Sequence, residues 1–206
     1  MELNNYLTTS MQLKTYYLLR ILQSAQAHQF FFPKGVHYYG RGLWEEDVKS
    51  MLRFIKPMKA VGENKVRMGW DKDGGYVMLD PGSPADGGIV YSFGVSSYDP
   101  WSSDMAHRGF SVYQYDGTIE SPPETGHNMY FFKYNITGDI VPQPGHKNIK
   151  TIFSDLGHDK NNDIILNVDI EGAEWDFFKN ISTLEILKFR QIIVEFHKCM
   201  IFNIDD

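Results

Sequence analysis

Cysteine is almost missing from this chain. Its single thiol, Cys199, excludes an intrachain disulfide framework and any multi-cysteine zinc site, and reads as a strand-end residue. An excess of positive charge is missing as well. A formal net charge of −6 offers no basic face to release phosphate counterions, so nucleic acid is not expected as a partner. No run approaches the roughly 18 to 20 apolar residues that cross a bilayer, and Met1-Glu2-Leu3-Asn4-Asn5 lacks the basic start of a secretory signal. No membrane partner and a cytoplasmic location are therefore expected. What is present is ordinary for a folded globular chain: 206 residues, 42% hydrophobic and 22% charged, with aromatics at 15%.

The chain divides by pattern. Residues 1–60 read as an N-terminal helical extension: Thr9-Ser10-Met11-Gln12 has the form of a capping box, and Met11, Leu18, Leu22 and Ala25 share one helical face. A second helix runs from about Trp44 to Lys56, with Pro57 as its stop. Residues 61–206 form the main domain. It starts with two short extended pieces, residues 66–70 and 76–79, joined by Asp71-Lys72-Asp73-Gly74-Gly75, which reads as a hairpin. From Gly88 strand and helix alternate: strands at 89–93, 110–115, 129–134, 164–169 and 191–196, helices near 102–108 and 148–156, and one helix from about Glu174 to Leu187. Five strands with intervening crossovers predict an α/β fold with a mostly parallel, doubly wound sheet.

The chemistry sits where the apolar strands stop. Ile164-Ile165-Leu166 runs into Asn167-Val168-Asp169-Ile170-Glu171-Gly172-Ala173-Glu174, and Gln191-Ile192-Ile193-Val194 into Glu195-Phe196-His197. In open α/β sheets the ligand crevice lies beyond the carboxyl ends of such strands, so Asp169, Glu171, Glu195 and His197 are expected to face one crevice. Glu174 belongs to the first turn of the next helix, where a carboxylate suits the positive dipole end. Earlier, Ile89 to Phe93 runs into Gly94-Val95-Ser96, and the following strand ends at Tyr115-Asp116-Gly117. An acidic residue closing the second strand, about twenty residues beyond a glycine turn, is the arrangement that grips a ribose diol. Only Gly94 marks that turn. The missing three-glycine fingerprint points away from NAD and toward a nucleoside ligand without phosphates.

Taken together, Tyr91-Ser92-Phe93-Gly94-Val95, Tyr115-Asp116, Asp169-Ile170-Glu171-Gly172-Ala173-Glu174 and Val194-Glu195-Phe196-His197, preceded by Arg67 and Asp73-Gly74-Gly75-Tyr76, resemble the FkbM-type S-adenosylmethionine-dependent methyltransferases and their methyltransferase-like relatives. The resemblance covers about residues 65 to 197, and the Asp-Ile-Glu-Gly-Ala-Glu block is its most specific element. It implies a Rossmann-like methyltransferase fold. The cofactor's methionine end would lie near Gly94, Val95 and Ser96, its ribose at Asp116 and Gly117, and its ammonium or the acceptor at Asp169, with Asp73 and Tyr76 folding over the pocket. This chain departs from the pattern at Ser92 and Phe93, where methyltransferases often carry an acidic residue before the glycine turn. Such folds also continue into sixth and seventh strands, for which the sequence after His197 is too short, so either a sheet lacking its last strands or a fragment of a longer chain is expected. An uncovered edge at the fifth strand would invite self-association or be covered by the N-terminal segment.

Methyl transfer mainly needs acceptor, methyl carbon and sulfur in line. A hydroxyl acceptor also has to lose its proton, and His197 is the candidate base, oriented by Glu195 or Glu171. Asp169, Glu195 and His197 form a donor set able to hold magnesium or manganese. The favoured reading is the plainer one, without a metal, in which the carboxylates hydrogen-bond loop amides. The expected function is O-methylation of a small-molecule or carbohydrate hydroxyl with S-adenosylmethionine. A non-catalytic Rossmann-like module that binds a cofactor or a partner is the alternative, and a nicotinamide-dependent oxidoreductase is a further one.

Overall fold

In a computed structural model, residues 64–197 are described. The N-terminal helical extension, its expected cover over the fifth strand of the array, and Cys199 lie outside them. The described elements are β1 (Lys65–Met68), β2 (Tyr76–Leu79), β3 (Ile89–Phe93), α1 (Pro100–His107), β4 (Ser111–Tyr115), β5 (Met129–Phe132), β6 (Asn135–Ile136), β7 (His146–Lys147), α2 (Ile149–Leu156), β8 (Ile164–Val168), α3 (Glu174–Asn180), α4 (Thr183–Ile186) and β9 (Phe189–Val194). The five strands expected from the alternating pattern form one parallel sheet in the order β5-β4-β3-β8-β9. With helices packed against it, this is an α/β Rossmann-like architecture.

Alternation along the strands sends two kinds of side chain to the two faces. Tyr91, Phe93, Tyr115, Ile164, Leu166 and Val168 pack with Ile149, Ile152 and Phe153 of α2 and with Phe177 and Phe178 of α3. Parallel register sets Phe93 opposite Tyr115, and Tyr115 opposite Phe132, so the aromatics form rows across the sheet. Phe93 stands edge-on to both Tyr115 and Phe177, at 5.6 and 5.7 Å, the geometry that matches a positive ring edge to a negative face. On the opposite face Val90, Val112 and Ile165 meet Met68 and Met78 of the hairpin and Trp101 and Met105 of α1.

The hairpin pairs antiparallel, from Lys65 opposite Leu79 to Met68 opposite Tyr76. Gln191 on β9 anchors it. The Leu79 N–H donates to Gln191 Oε1 at 2.8 Å, and Gln191 Nε2 donates back to the Leu79 carbonyl at 3.3 Å, so a side-chain amide serves as a strand partner. That anchor carries Tyr76 over the ends of β8 and β9.

Two local differences from the expected elements have clear causes. The helix expected from Glu174 to Leu187 is two helices, because Ile181 is extended (φ −62, ψ 134) and Ser182 opens α4 with a capping box to Glu185. Helix α1 begins at Pro100, ahead of the expected Ser102, because Asp99 is its N-cap: Oδ1 accepts from the Ser102 N–H at 3.0 Å, and proline suits the first helical position. The short parallel pair β6–β7 carries no apolar run that would have announced it.

Candidate functional site

The chain leaves β3 toward β4 on one side, while β8 lies on the other, so the topological switch point falls between β3 and β8. Ligands of open parallel sheets bind outside the carboxyl ends at that point. Gly94 follows β3 there with φ +84, and its N–H donates to the Tyr115 carbonyl at 2.9 Å. A Cβ on Gly94 would stand 1.6 Å from the Asp169 carbonyl oxygen. Glycine is needed because the loops after β3 and β8 touch at this residue.

On the β4 side, half-buried Asp116 ties the glycine turn together. Its Oδ2 accepts from the Val95 N–H at 2.9 Å, and its Oδ1 accepts from the Thr118 N–H at 2.7 Å and the Thr118 hydroxyl at 2.6 Å. Oδ2 keeps one acceptor position, and the rotatable Thr118 hydroxyl can release a second on Oδ1. The other residues expected near the cofactor are engaged elsewhere: the Ser96 hydroxyl donates to the Tyr98 carbonyl at 2.9 Å, and Gly117 packs on the Asn135 side chain.

The β8 and β9 ends gather the rest. The Tyr76 hydroxyl donates to Asp169 Oδ2 at 2.8 Å and lies 3.4 Å from Glu195 Oε2. The other oxygen of each carboxylate faces the imidazole, with His197 Nε2 at 3.5 Å from Asp169 Oδ1 and 3.6 Å from Glu195 Oε1. Glu171 Oε2 stands 3.8 Å from the same nitrogen, on a side chain that is 85% exposed. Its backbone is left-handed (φ 55), so the strand geometry that would have put Asp169 and Glu171 side by side ends before it, and Glu171 reaches the cluster from the rim. Asp73 is exposed in the loop after β1, and its negative charge acts on Tyr76, Asp169 and Glu195.

Burial raises the Asp169 carboxyl above its ordinary range, helped by the charges of Glu171 and Asp73, while the Tyr76 hydrogen bond and His197 oppose the rise. The Glu195 carboxyl is raised by burial and next by the charge of Asp169. The Tyr76 phenol is pushed upward, first by burial and then by its bond to Asp169, so it remains a proton donor at physiological pH.

Glu174 organises this cluster from below, a role the sequence did not announce. It is fully buried, Oε2 accepts from the Gly172 N–H at 2.7 Å, and Oε1 accepts from the His197 N–H at 2.5 Å. The same Oε1 lies 3.6 Å from His197 Nδ1, and the Trp175 indole donates to the His197 carbonyl at 2.7 Å. His197 is thus held by its backbone with Nε2 turned toward the carboxylates.

Comparison with known proteins adds one likeness. The chain is 28% identical over 120 residues to human probable methyltransferase-like protein 24. That match covers 52% of this chain and 32% of the relative's length. No family model matches the chain, and no solved structure does.

A second buried carboxylate lies behind the glycine turn. Asp99 accepts from Gln114 Nε2 at 2.8 Å and from the Ser92 hydroxyl at 3.4 Å, and burial raises its carboxyl, with the bonds from Ser102, Gln114 and Ser92 opposing. The Asp99-Pro100 pair was the legible signal for it, as a helix start. In contrast, nothing local marks Glu174 as a buried hub, because both its partners come from loops. Trp70 and Tyr98, 54% and 40% exposed, pack at 4.7 Å between ring centroids, while Trp101 is core. Among the described residues no helix is long and apolar enough to cross a membrane.

Proposed function

We propose that this chain is an S-adenosylmethionine-dependent methyltransferase that methylates the hydroxyl of a small-molecule or carbohydrate acceptor. The observation that carries the reading is the juxtaposition at the switch point: Asp116, with acceptor capacity left on its carboxylate, braces the Gly94 turn, and that turn packs against the loop bearing Asp169. The likeness to a protein described as methyltransferase-like supports the same activity class.

The residues fit the cofactor. Asp116 would take the ribose hydroxyls, and the Gly94–Ser96 turn, with Asp169 beside it, would border the methionine end. Asp73 on the hairpin loop and Tyr76 at the start of β2 would cover the pocket. S-adenosylmethionine, when bound, supplies an electrophilic methyl whose sulfonium is already the leaving group. What remains for the chain is alignment and proton removal. His197, Glu195 and Glu171 form the deprotonating group, since the His197 Nε2 and two carboxylates converge on one point where an acceptor hydroxyl can meet them. The exposed Trp70–Tyr98 pair, its rings tilted 55° to each other, offers an aromatic face for a sugar ring or an aromatic acceptor to stack on.

Calorimetric titration of the full chain with S-adenosylhomocysteine tests the reading. Wild type should bind one equivalent, and Asp116→Ala, its fold verified by circular dichroism, should bind about ten- to hundredfold more weakly, the range for losing hydrogen bonds to a charged group. Failure of wild type to bind would overturn the proposal, and unchanged affinity in the variant would remove Asp116 from the site.

A further inference from the structure

We infer that Asp169, Glu195 and His197 form a binding site for one first-row divalent cation of the manganese type. One ligand atom from each lies within 4.8 Å of the other two. The spacing decides between a hydrogen-bonded cluster and a coordination shell. His197 Nε2 stands 3.5 and 3.6 Å from the facing oxygens of Asp169 and Glu195, beyond the range of an N–H···O bond. Two ligand atoms each about 2.1 Å from a common ion sit roughly 3.0 Å apart in an octahedral shell and 3.4 Å in a tetrahedral one, so the two separations from Nε2 lie just outside a shell and the carboxylate oxygens, within 4.8 Å of each other, would draw in to close it.

The surroundings are those of a supported site. Tyr76 engages Asp169 Oδ2 and approaches Glu195 Oε2, which leaves Oδ1 of one and Oε1 of the other turned toward Nε2. On its far side the buried imidazole Nδ1 lies 3.6 Å from the Glu174 carboxylate without a hydrogen bond, and Glu174 holds His197 through its backbone N–H. Hydroxyls behind ligating carboxylates fix their rotamers. Glu171 and Asp73 add negative charge around the group, which favours a cation there. Two carboxylates with one imidazole suit Mn²⁺, a hard ion that takes a histidine nitrogen more readily than Mg²⁺, which prefers an all-oxygen shell.

The inference refines the proposed deprotonating group, and this part of it rests on that reading. An ion held there would acidify a hydroxyl bound to it. Glu171, exposed and 3.8 Å from His197 Nε2, would take the proton, the oxygen would form its bond to the methyl carbon as the carbon–sulfur bond breaks, and His197 would stay a ligand.

The test uses the full chain, stripped with a chelator, and Mn²⁺ alone. Calorimetry should show one saturable site, and substoichiometric Mn²⁺ should broaden the ring resonances of His197 before those of the other six of the seven histidines. Tyr76→Phe, which removes only the supporting hydroxyl, should weaken Mn²⁺ about ten- to hundredfold. The shape-conserving Asp169→Asn and Glu195→Gln should weaken it at least as much, and Asp116→Ala should leave it unchanged. Absence of saturable binding, uniform broadening of all histidines, or equal affinity in Asp169→Asn and Glu195→Gln would overturn the site. Mn²⁺ binding without S-adenosylhomocysteine binding would keep the cation site and remove methyl transfer. The opposite pair of results would keep the cofactor reading and remove the ion.

Discussion

At the ends of β3 and β4, Asp116 accepts from two backbone N–H groups and a threonine hydroxyl; at the ends of β8 and β9, Asp169 and Glu195 meet a tyrosine hydroxyl, an imidazole and each other's charge. The first carboxylate is satisfied by the loops it braces, so it also serves the fold. The second pair is crowded by like charge, and burial raises both carboxyls. A protein gains no stability from holding acids together in that way, and perturbed acids in a crevice are where function concentrates. The comparison separates a structural carboxylate with spare binding capacity from a cluster whose arrangement makes sense through what it binds.

The largest effect expected from breaking this contrast is on turnover. If the proposed reaction holds, His197→Ala should lower turnover on the order of a hundred- to ten-thousandfold while leaving S-adenosylhomocysteine affinity nearly unchanged, because the proposal puts the imidazole on the acceptor side. Steady-state kinetics beside calorimetry reads the split, and near-normal turnover would reduce His197 to a structural residue.

Joining the two regions is Gly94, so Gly94→Ala should damage both. The new methyl would overlap the Asp169 carbonyl, and a positive φ of 84 is strained for alanine. We expect a loss of at least about 3 kcal/mol in urea unfolding, from overpacking together with the left-handed backbone. Gly82 provides the control. It also has a positive φ, 65, but nothing lies within 4 Å of its Cβ position, so Gly82→Ala should cost only about 1 kcal/mol. Equal losses at the two positions would mean that the β3 and β8 loops are not in contact.

The smallest effect is a pH dependence. Because Asp169 and Glu195 hold their protons more tightly folded than unfolded, their contribution to stability is fully present below the ordinary carboxylate range and is lost as pH rises through their raised values. In chelator, Asp169→Asn should therefore gain in melting temperature relative to wild type as pH moves from about 4 to about 7. Added Mn²⁺ should reverse the order at the upper end by stabilising wild type alone. A difference in melting temperature that does not vary with pH would show that the cluster carries no repulsion.

How much of this was legible follows from what each feature depends on. Strands β3, β8 and β9 were readable because apolar runs bounded by glycine or acids are local signals; of the four residues expected to face one crevice, Asp169 and Glu195 lie beside His197 and Glu171 reaches it from the rim. The break at Ile181 was readable in principle, since Ser182 and Glu185 spell a capping box, but the apolar period continues through it and hides the stop. Glu174 was not readable as a hub: its first-turn position is local, whereas its burial depends on where the β9 loop comes to rest.

The sequence by itself determined a parallel α/β sheet and the chemical kinds of residue at its mouth, because hydrophobic period and strand-end composition are short-range properties of the chain. Only the tertiary structure decided that the Tyr76 hydroxyl divides the oxygens of Asp169 and Glu195, that Glu174 sets the attitude of His197, and that Gly94 is where the two halves of the mouth touch. Those contacts join residues as much as 119 positions apart, as Tyr76 and Glu195 are, and no local pattern encodes a distance that the packing of a hairpin on a sheet edge has to set.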